Sequence, residues 1–161
     1  MIVLLVVGVL ALLLFAGAFI SRRRFGLLGL ALSAGATLST LWSYEAGLVI
    51  SSTGLVPAGP MTNAIALSLV VLLPALILLF HGYTYKDILS RILGSFLFTV
   101  LALAFLLEPL QFILPLEGQT ADIYRLLNDN KGIVISVGVV LAIVDLFFTK
   151  PVKNERDRRR R

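Results

Sequence analysis

The sequence predicts an all-α, polytopic membrane protein that forms a bundle of about five transmembrane helices. Three observations predict this fold. Hydrophobic residues make up 58% of the 161-residue chain and charged residues only 14%, whereas soluble domains carry about 25% charged residues. The apolar residues form stretches long enough to cross a bilayer. Basic residues collect in alternate connections between these stretches, as the positive-inside rule expects.

The chain divides into a membrane domain, residues 1–149, and a basic tail, residues 150–161. The predicted spans are residues 2–20, 25–42, 64–80, 88–107 and 133–148. The first has nineteen residues without a polar side chain, and at about 1.5 Å per residue it reaches roughly 28 Å, near the thickness of the hydrocarbon core. No basic residue precedes it, so we expect it to be retained rather than cleaved as a signal peptide, although Ala16-Gly17-Ala18 resembles a cleavage site.

The connections contain the residues that break helices. Residues 43–63 are expected to form a loop because they are rich in Gly and Pro; within it, residues 46–60 either lie in the interface or re-enter the bilayer. The third span contains Pro74, which predicts a kink. Glu108-Pro109 is expected to end the fourth span, and residues 110–116 are again interfacial or re-entrant. Residues 117–132 are polar, which predicts a loop or surface helix.

The basic residues predict the orientation. One set of alternate connections, together with the tail, carries twelve Lys and Arg residues, whereas only Arg125 and Lys131 fall on the other side. The rich side is therefore expected to be cytoplasmic, with the N-terminus outside and the C-terminus in the cytoplasm of a bacterial-type plasma (inner) membrane. Arg22, Arg23 and Arg24 and the tail are expected to anchor the protein on anionic lipids. The same tail, with Arg158, Arg159, Arg160 and Arg161, also allows nucleic acid as a partner. Lipid is favoured because the tail is short and follows directly on an apolar stretch.

The composition disfavours several chemistries. The chain has no Cys and only one His, His81, so disulfides and thiolate sites are excluded and a His-based metal site is not expected. No phosphate-binding Gly-rich loop or nucleophile elbow is present. We therefore expect no cofactor and no enzyme activity. The polar turn from His81 to Asp87 is interpreted as a belt at the headgroup layer.

Small residues fall at helical spacing in the spans. They include Gly26, Gly29, Ser33 and Thr37 in the second span and Gly138 and Ala142 in the fifth. Helices in lipid associate where small side chains let their backbones approach. These stripes predict packing within the chain or against another subunit, and the sequence leaves both open.

Two acids are candidates for a proton or ion path. Asp145 lies near the cytoplasmic end of the fifth span, and Glu108 lies beside Pro109. An acid within a span is a functional candidate by default. Pairing of Asp145 with nearby arginines, and simple helix termination at Glu108, are the alternative interpretations.

Two segments resemble the colicin V production protein family of bacterial inner-membrane proteins. One is the basic turn Ser21-Arg22-Arg23-Arg24-Phe25-Gly26-Leu27-Leu28-Gly29 with the small-residue-rich helix that follows it to Trp42; the other is Asp87-Ile88-Leu89-Ser90-Arg91-Ile92-Leu93-Gly94. The resemblance covers residues 1–107, and Phe98 stands where the family often has a second Gly. It implies a non-enzymatic protein tied to export or envelope homeostasis.

The leading hypothesis is an envelope accessory or scaffold that assembles with itself or with another membrane protein. The alternative is a small transporter, channel or holin-like pore that uses Asp145 or Glu108. A third hypothesis, a membrane enzyme that uses His81 or residues 117–130, has the least support in the sequence.

Overall fold

The protein is helical throughout the part of the chain that the structure, a computed structural model, describes: residues 2–52, 59–80, 85, 87–111 and 119–148. Six helices lie within these ranges: α1 (Ile2–Ser21), α2 (Phe25–Leu41), α3 (Ser43–Ser52), α4 (Pro60–Phe80), α5 (Ile88–Leu110) and α6 (Gln119–Phe147). The all-α class predicted from the sequence is confirmed.

Fewer helices meet the requirements for a membrane span than the five predicted. Within the described residues, α4, α5 and the Tyr124–Phe147 part of α6 are long and apolar enough to cross a bilayer. A fourth crossing is reached if α2 and α3, which meet at an angle of 83°, form one broken span. Helix α1 counts among the shorter apolar helices over Leu5–Ser21. Three to four crossings are compatible with a multi-pass membrane protein.

The helix α2 lies at the centre of the bundle. It packs against α4, α5 and α6, whereas α1 packs mainly against α5. Its side chains Phe25, Leu28 and Leu32 are fully buried, together with Leu101 and Leu106 of α5. These side chains form one continuous apolar core, which fixes the positions of the helix ends that surround α2.

Two predicted boundaries were wrong. Residues 43–52, expected as loop, form α3, because most of the breakers lie after residue 52 and the one inside, Gly47, is tolerated in a helix. Helix α5 continues beyond residue 107 to Leu110, since the amide of Gln111 still bonds to the carbonyl of Leu107 after Pro109. Residues 117–132 were predicted as a loop or a surface helix; the helix is confirmed from Gln119 onwards, and it continues without a break into the predicted fifth span.

Local backbone conformation accounts for the boundaries of several helices. Arg22 has a φ of 56°, a left-handed conformation that ends α1, and Arg24 is extended, so α2 begins at Phe25. Pro60 is the first residue of α4, where a missing amide hydrogen costs nothing. Helix α4 runs through Pro74, and the kink expected there stays a prediction.

Candidate functional site

Five helix ends meet at one end of the bundle. The C-terminal ends of α1, α4 and α6 lie beside the N-terminal ends of α2 and α5, as the contacts described below show. Four arginines lie among these ends: Arg22, Arg23 and Arg24 in the α1–α2 turn and Arg91 in the first turn of α5. We call this region the arginine end. It brings Asp145 beside the basic turn, a proximity predicted from the sequence as one interpretation of this acid.

Three of the arginines donate to the last carbonyl groups of three different helices. The Arg23 Nε donates to the Leu79 carbonyl at 2.9 Å and its Nη2 donates to the Phe80 carbonyl at 2.6 Å. The Arg24 Nη1 donates to the Asp145 carbonyl at 3.3 Å. The Arg91 Nε donates to the Phe19 carbonyl, and its guanidinium lies 3.7 Å from the centroid of the Phe19 ring.

These contacts serve an electrostatic need of the fold. The last four carbonyls of a helix have no partner within the helix, and they carry the negative end of the helix dipole. A charged donor from a neighbouring helix supplies the missing partner, and the contacts that are partly buried are less screened by water than exposed ones. Arg23, Arg24 and Arg91 thus cap α4, α6 and α1, a role that goes beyond the lipid anchoring predicted for the first two.

Asp145 acts in the opposite sense, because it caps the N-terminal end of α2. Its Oδ2 accepts a hydrogen bond from the amide of Gly26 at 2.9 Å and another from the Tyr85 hydroxyl at 3.2 Å. Arg24, at the N-cap position of α2, provides no side-chain cap of its own. The half-buried carboxylate of α6 therefore supplies the acceptor that a local Ser or Asp would supply in an isolated helix. This arrangement joins α6 to α2 at the arginine end.

Tyr85 lies between α4 and α5 and connects the same elements. Its amide donates to the Arg22 carbonyl at 2.8 Å, and its hydroxyl accepts from the amide of Phe25 at 3.1 Å while it donates to Asp145. Burial, and then the nearby Asp145 carboxylate, raise the pKa of Tyr85 to about 12. The phenol is therefore neutral over the physiological range and keeps its proton for Asp145.

We predict that this pKa can be seen in an alkaline titration. Ultraviolet difference absorbance of tyrosinate, measured on the protein and on Tyr85→Phe, should show a component near pH 12 that the variant lacks. Because the folded pKa is raised above the ordinary 10.0, the contribution of the neutral phenol to stability is complete below pH 10 and is lost as the pH rises through about 12. Tyr44→Phe removes an exposed tyrosine and should leave that component in place. A Tyr85 component that titrates at pH 10 would contradict the prediction.

The second predicted acid, Glu108, lies at the opposite end of the bundle. It follows Arg91 by most of the length of α5, and its carboxylate is 3.8 Å from the Nζ of Lys131 in α6. It is exposed. Between the two ends, the buried hydroxyls of Ser95 and Thr99 donate to carbonyls of their own helix. The structure does not bring Glu108 and Asp145 together.

The predicted small residues fall into two groups. A Cβ added to Gly26 would lie 2.6 Å from the Ala142 carbonyl oxygen, and one added to Gly29 would lie 2.8 Å from the Ala142 Cβ. Gly138 approaches Leu101 in the same way. These residues allow the close approach of α6 to α2 and α5. The hydroxyls of Ser33 and Thr37 instead donate to the carbonyls one turn earlier in α2.

Sequence reasoning missed two positions of close packing. Gly35 lies directly against the backbone of Val71 in α4, outside the stripe identified on α2. Gly94 faces the Tyr85 ring, with a Cβ position 2.6 Å from the Tyr85 Cε2. For Gly35 the only signal was a glycine within an apolar helix. Gly94 also closes the segment from Asp87 that resembles a known family, but neither signal reveals which residue faces the glycine.

A cleft lies at the end of the bundle opposite the arginines. It has a volume of about 410 Å³ and opens between α3 and the start of α4. Its lining residues are Ser43, Tyr44, Gly47, Leu48, Ser51, Gly59, Thr62 and Asn63. Five of these eight residues carry a hydroxyl or amide side chain, and none of the eight is charged.

Several predicted residues lie outside the described ranges: His81, the start of the 117–130 segment, and the tail with Arg158 to Arg161. Among the described residues, no group of three His, Asp or Glu side chains could hold a metal ion. Comparison of the chain with protein-family models, with curated proteins and with solved structures finds no match. The resemblance to the colicin V production protein family therefore stays a prediction.

Proposed function

We propose that this chain is a bacterial inner-membrane protein with five crossings that acts as an accessory or scaffold of the cell envelope through helix–helix assembly. The observation that carries this proposal is the outer face of α6. Only 6% of the Tyr124–Phe147 span is buried within the chain, against 22% for α4 and 39% for the α5 span. Helix α6 thus has more surface available to a partner than either of the other two spans.

The arrangement of helix ends supports five crossings. Helices α1, α4 and α6 end at the arginine end, whereas α2 and α5 begin there. Chain direction therefore alternates from α1 to α2 and from α4 through α6. With α1 and α2 each counted as a crossing, the arginine end faces the cytoplasm under the positive-inside rule. The N-terminus is then outside and the C-terminus inside.

The chemistry of the α6 surface supports assembly. Gly132 and Ser136 are exposed, and nothing lies within 4 Å of a Cβ added to Gly132. Gly138 and Ala142, in contrast, are buried against the bundle. Small residues four apart on a span allow another helix to approach closely, and in lipid this packing is a main source of association.

Photo-crosslinking in native membranes tests this proposal. A photoreactive residue in place of Ser136 should give one defined crosslinked species, either a dimer or a complex with one partner. The matched control is the same residue in place of Leu141, which is exposed on the flank of the same helix, and it should give little product. A protein that stays monomeric, or crosslinks equally from both positions, would argue against assembly through this face.

A link to export or envelope homeostasis rests on the family resemblance in the basic turn and the start of α5. The structure gives these segments a shared place, since Arg22 to Gly26 and Arg91 to Gly94 both lie at the arginine end. If the basic turn and the start of α5 share a role, they must lie close together, as they do here.

Transport remains the second candidate function because a half-buried carboxylate, Asp145, lies within a candidate span. The hydrogen bonds that Asp145 accepts from Gly26 and Tyr85 favour a structural role for it. The separation of Asp145 from Glu108 also gives no support to a path that uses both acids.

A further inference from the structure

Arg22 differs from the other arginines at the arginine end. Its side chain is exposed, while those of Arg23, Arg24 and Arg91 are half-buried and donate to helix carbonyls. Its left-handed backbone conformation turns the chain between α1 and α2, and the amide of Tyr85 holds its carbonyl. Among the described residues, no carboxylate pairs with Arg22. The backbone thus fixes the Cα of Arg22, and no described carboxylate competes with a ligand for its guanidinium.

The surroundings of Arg22 are apolar as well as basic. Ile20, two residues earlier, is 74% exposed, and Phe80, whose carbonyl accepts from Arg23, is 78% exposed. Phe147 at the end of α6 is 86% exposed. Large exposed apolar side chains thus lie at the three helix ends whose carbonyls accept from the arginines.

The charge at this end favours an anion. Four arginines lie here, and the described acids at the same end are Asp145 and Asp87. Asp145 is engaged with α2, and Asp87 lies before the first turn of α5. A guanidinium matches the geometry of a phosphate group through paired N–H donors. A phosphate is therefore the chemical group that this surface fits best.

We propose that Arg22, with Arg23 beside it, binds the phosphate of an anionic phospholipid whose acyl chain lies on Ile20 and Phe80. The exposed side chains of Ile20 and Phe80 favour a phospholipid over a soluble phosphate. An acyl chain would cover them, whereas a soluble phosphate has no apolar part to do so. Arg23 keeps its contact with the end of α4 in this arrangement. The site thus places a lipid headgroup at the junction between α1, α2 and α4, and it goes beyond the assembly proposed for α6.

Lipid titration of the purified full-length chain in neutral detergent tests the proposal. The probes are phosphatidylglycerol, phosphatidylcholine and glycerol phosphate, and native mass spectrometry gives the fraction of protein that carries each. Phosphatidylglycerol should bind more tightly than phosphatidylcholine, and glycerol phosphate should not compete. Arg22→Gln should raise the Kd for phosphatidylglycerol about fivefold, the equivalent of about 1 kcal/mol for one basic residue at a membrane surface.

Two variants serve as controls. Arg22→Lys keeps the charge on the same left-handed backbone but loses the paired N–H donors, so its Kd for phosphatidylglycerol should lie between those of the parent and Arg22→Gln. A Kd in Arg22→Lys as high as in Arg22→Gln would show that charge at this position does not contribute to binding. Arg125→Gln removes an exposed arginine of α6 away from the arginine end and should bind as the parent does. The proposal would be overturned if Arg22→Gln and Arg125→Gln raised the Kd for phosphatidylglycerol equally. It would also be overturned if glycerol phosphate displaced bound phosphatidylglycerol at concentrations near that Kd.

Discussion

Gly35→Ala is expected to destabilise the protein by about 3 kcal/mol, the upper part of the usual range for an overpacked core. A Cβ at this position would lie 2.8 Å from the carbonyl carbon of Val71 and 3.0 Å from its Cα. These are backbone atoms of α4, so no side chain can rotate to make room. The helices α2 and α4 would have to separate along their shared interface, which includes buried Leu32, Val71 and Ala75.

The free energy of unfolding in mixed micelles measures this effect. Gly17→Ala is the matched control, because nothing lies within 4 Å of a Cβ added to Gly17 of α1. Alanine is favoured over glycine in a helix by up to about 1 kcal/mol, so this control should be neutral or slightly stabilising. If both substitutions gave the same result, the close contact between α2 and α4 would be refuted.

Asp145→Ala is expected to lower the free energy of unfolding by about 2 kcal/mol, as is usual for lost hydrogen bonds to a charged group. The amide of Gly26 and the hydroxyl of Tyr85 would lose a common acceptor. The N-terminal end of α2 would also lose the negative charge that its dipole favours. Asp145→Asn keeps one acceptor oxygen without the charge, so a smaller loss is expected.

Asp129→Ala provides the control, since Asp129 is an exposed acid of the same helix and its loss should change stability by less than about 0.5 kcal/mol. Ion or proton flux in proteoliposomes, measured on Asp145→Asn, separates the structural role from transport. If the role of Asp145 is structural, any ion or proton flux that the parent protein shows should persist in folded Asp145→Asn. Flux that disappears while the variant stays folded would favour the transport hypothesis.

The comparison of Arg23 with Arg22 shows why neighbouring residues of one sequence motif differ in role. The sequence presents Arg22, Arg23 and Arg24 as one basic cluster, and charge alone predicted one anchoring function for all three. In the structure, Arg23 and Arg24 donate to carbonyls that lie 56 and 121 residues away along the chain. Such a partner cannot be inferred from local spacing, because it depends on which helix ends the packing of the bundle brings together.

Tyr85 shows the same limit for a residue that the sequence assigned to a headgroup belt. An aromatic residue between two apolar helices is typical of the membrane interface, and nothing nearby in the sequence indicates a partner on α6. Its hydroxyl reaches Asp145, 60 residues further along the chain. Conversely, the errors at residues 43–52 and 108–110 arose because Gly47 and Pro109 were interpreted as helix breakers, whereas both lie buried within helices.

The sequence by itself determined the all-α class and the apolar character of the helices. It also determined the grouping of basic residues in alternate connections. These properties follow from composition and from the length of the apolar stretches. A bilayer requires each such stretch to satisfy its own backbone hydrogen bonds, so each stretch becomes a helix independently of its neighbours. The tertiary structure alone decided that Asp145 caps α2, that Gly35 meets Val71, and that three arginines cap three other helices. Each of these contacts joins helix ends or faces that become neighbours only when the bundle has packed, and the energy of that packing belongs to pairs of helices rather than to any single segment.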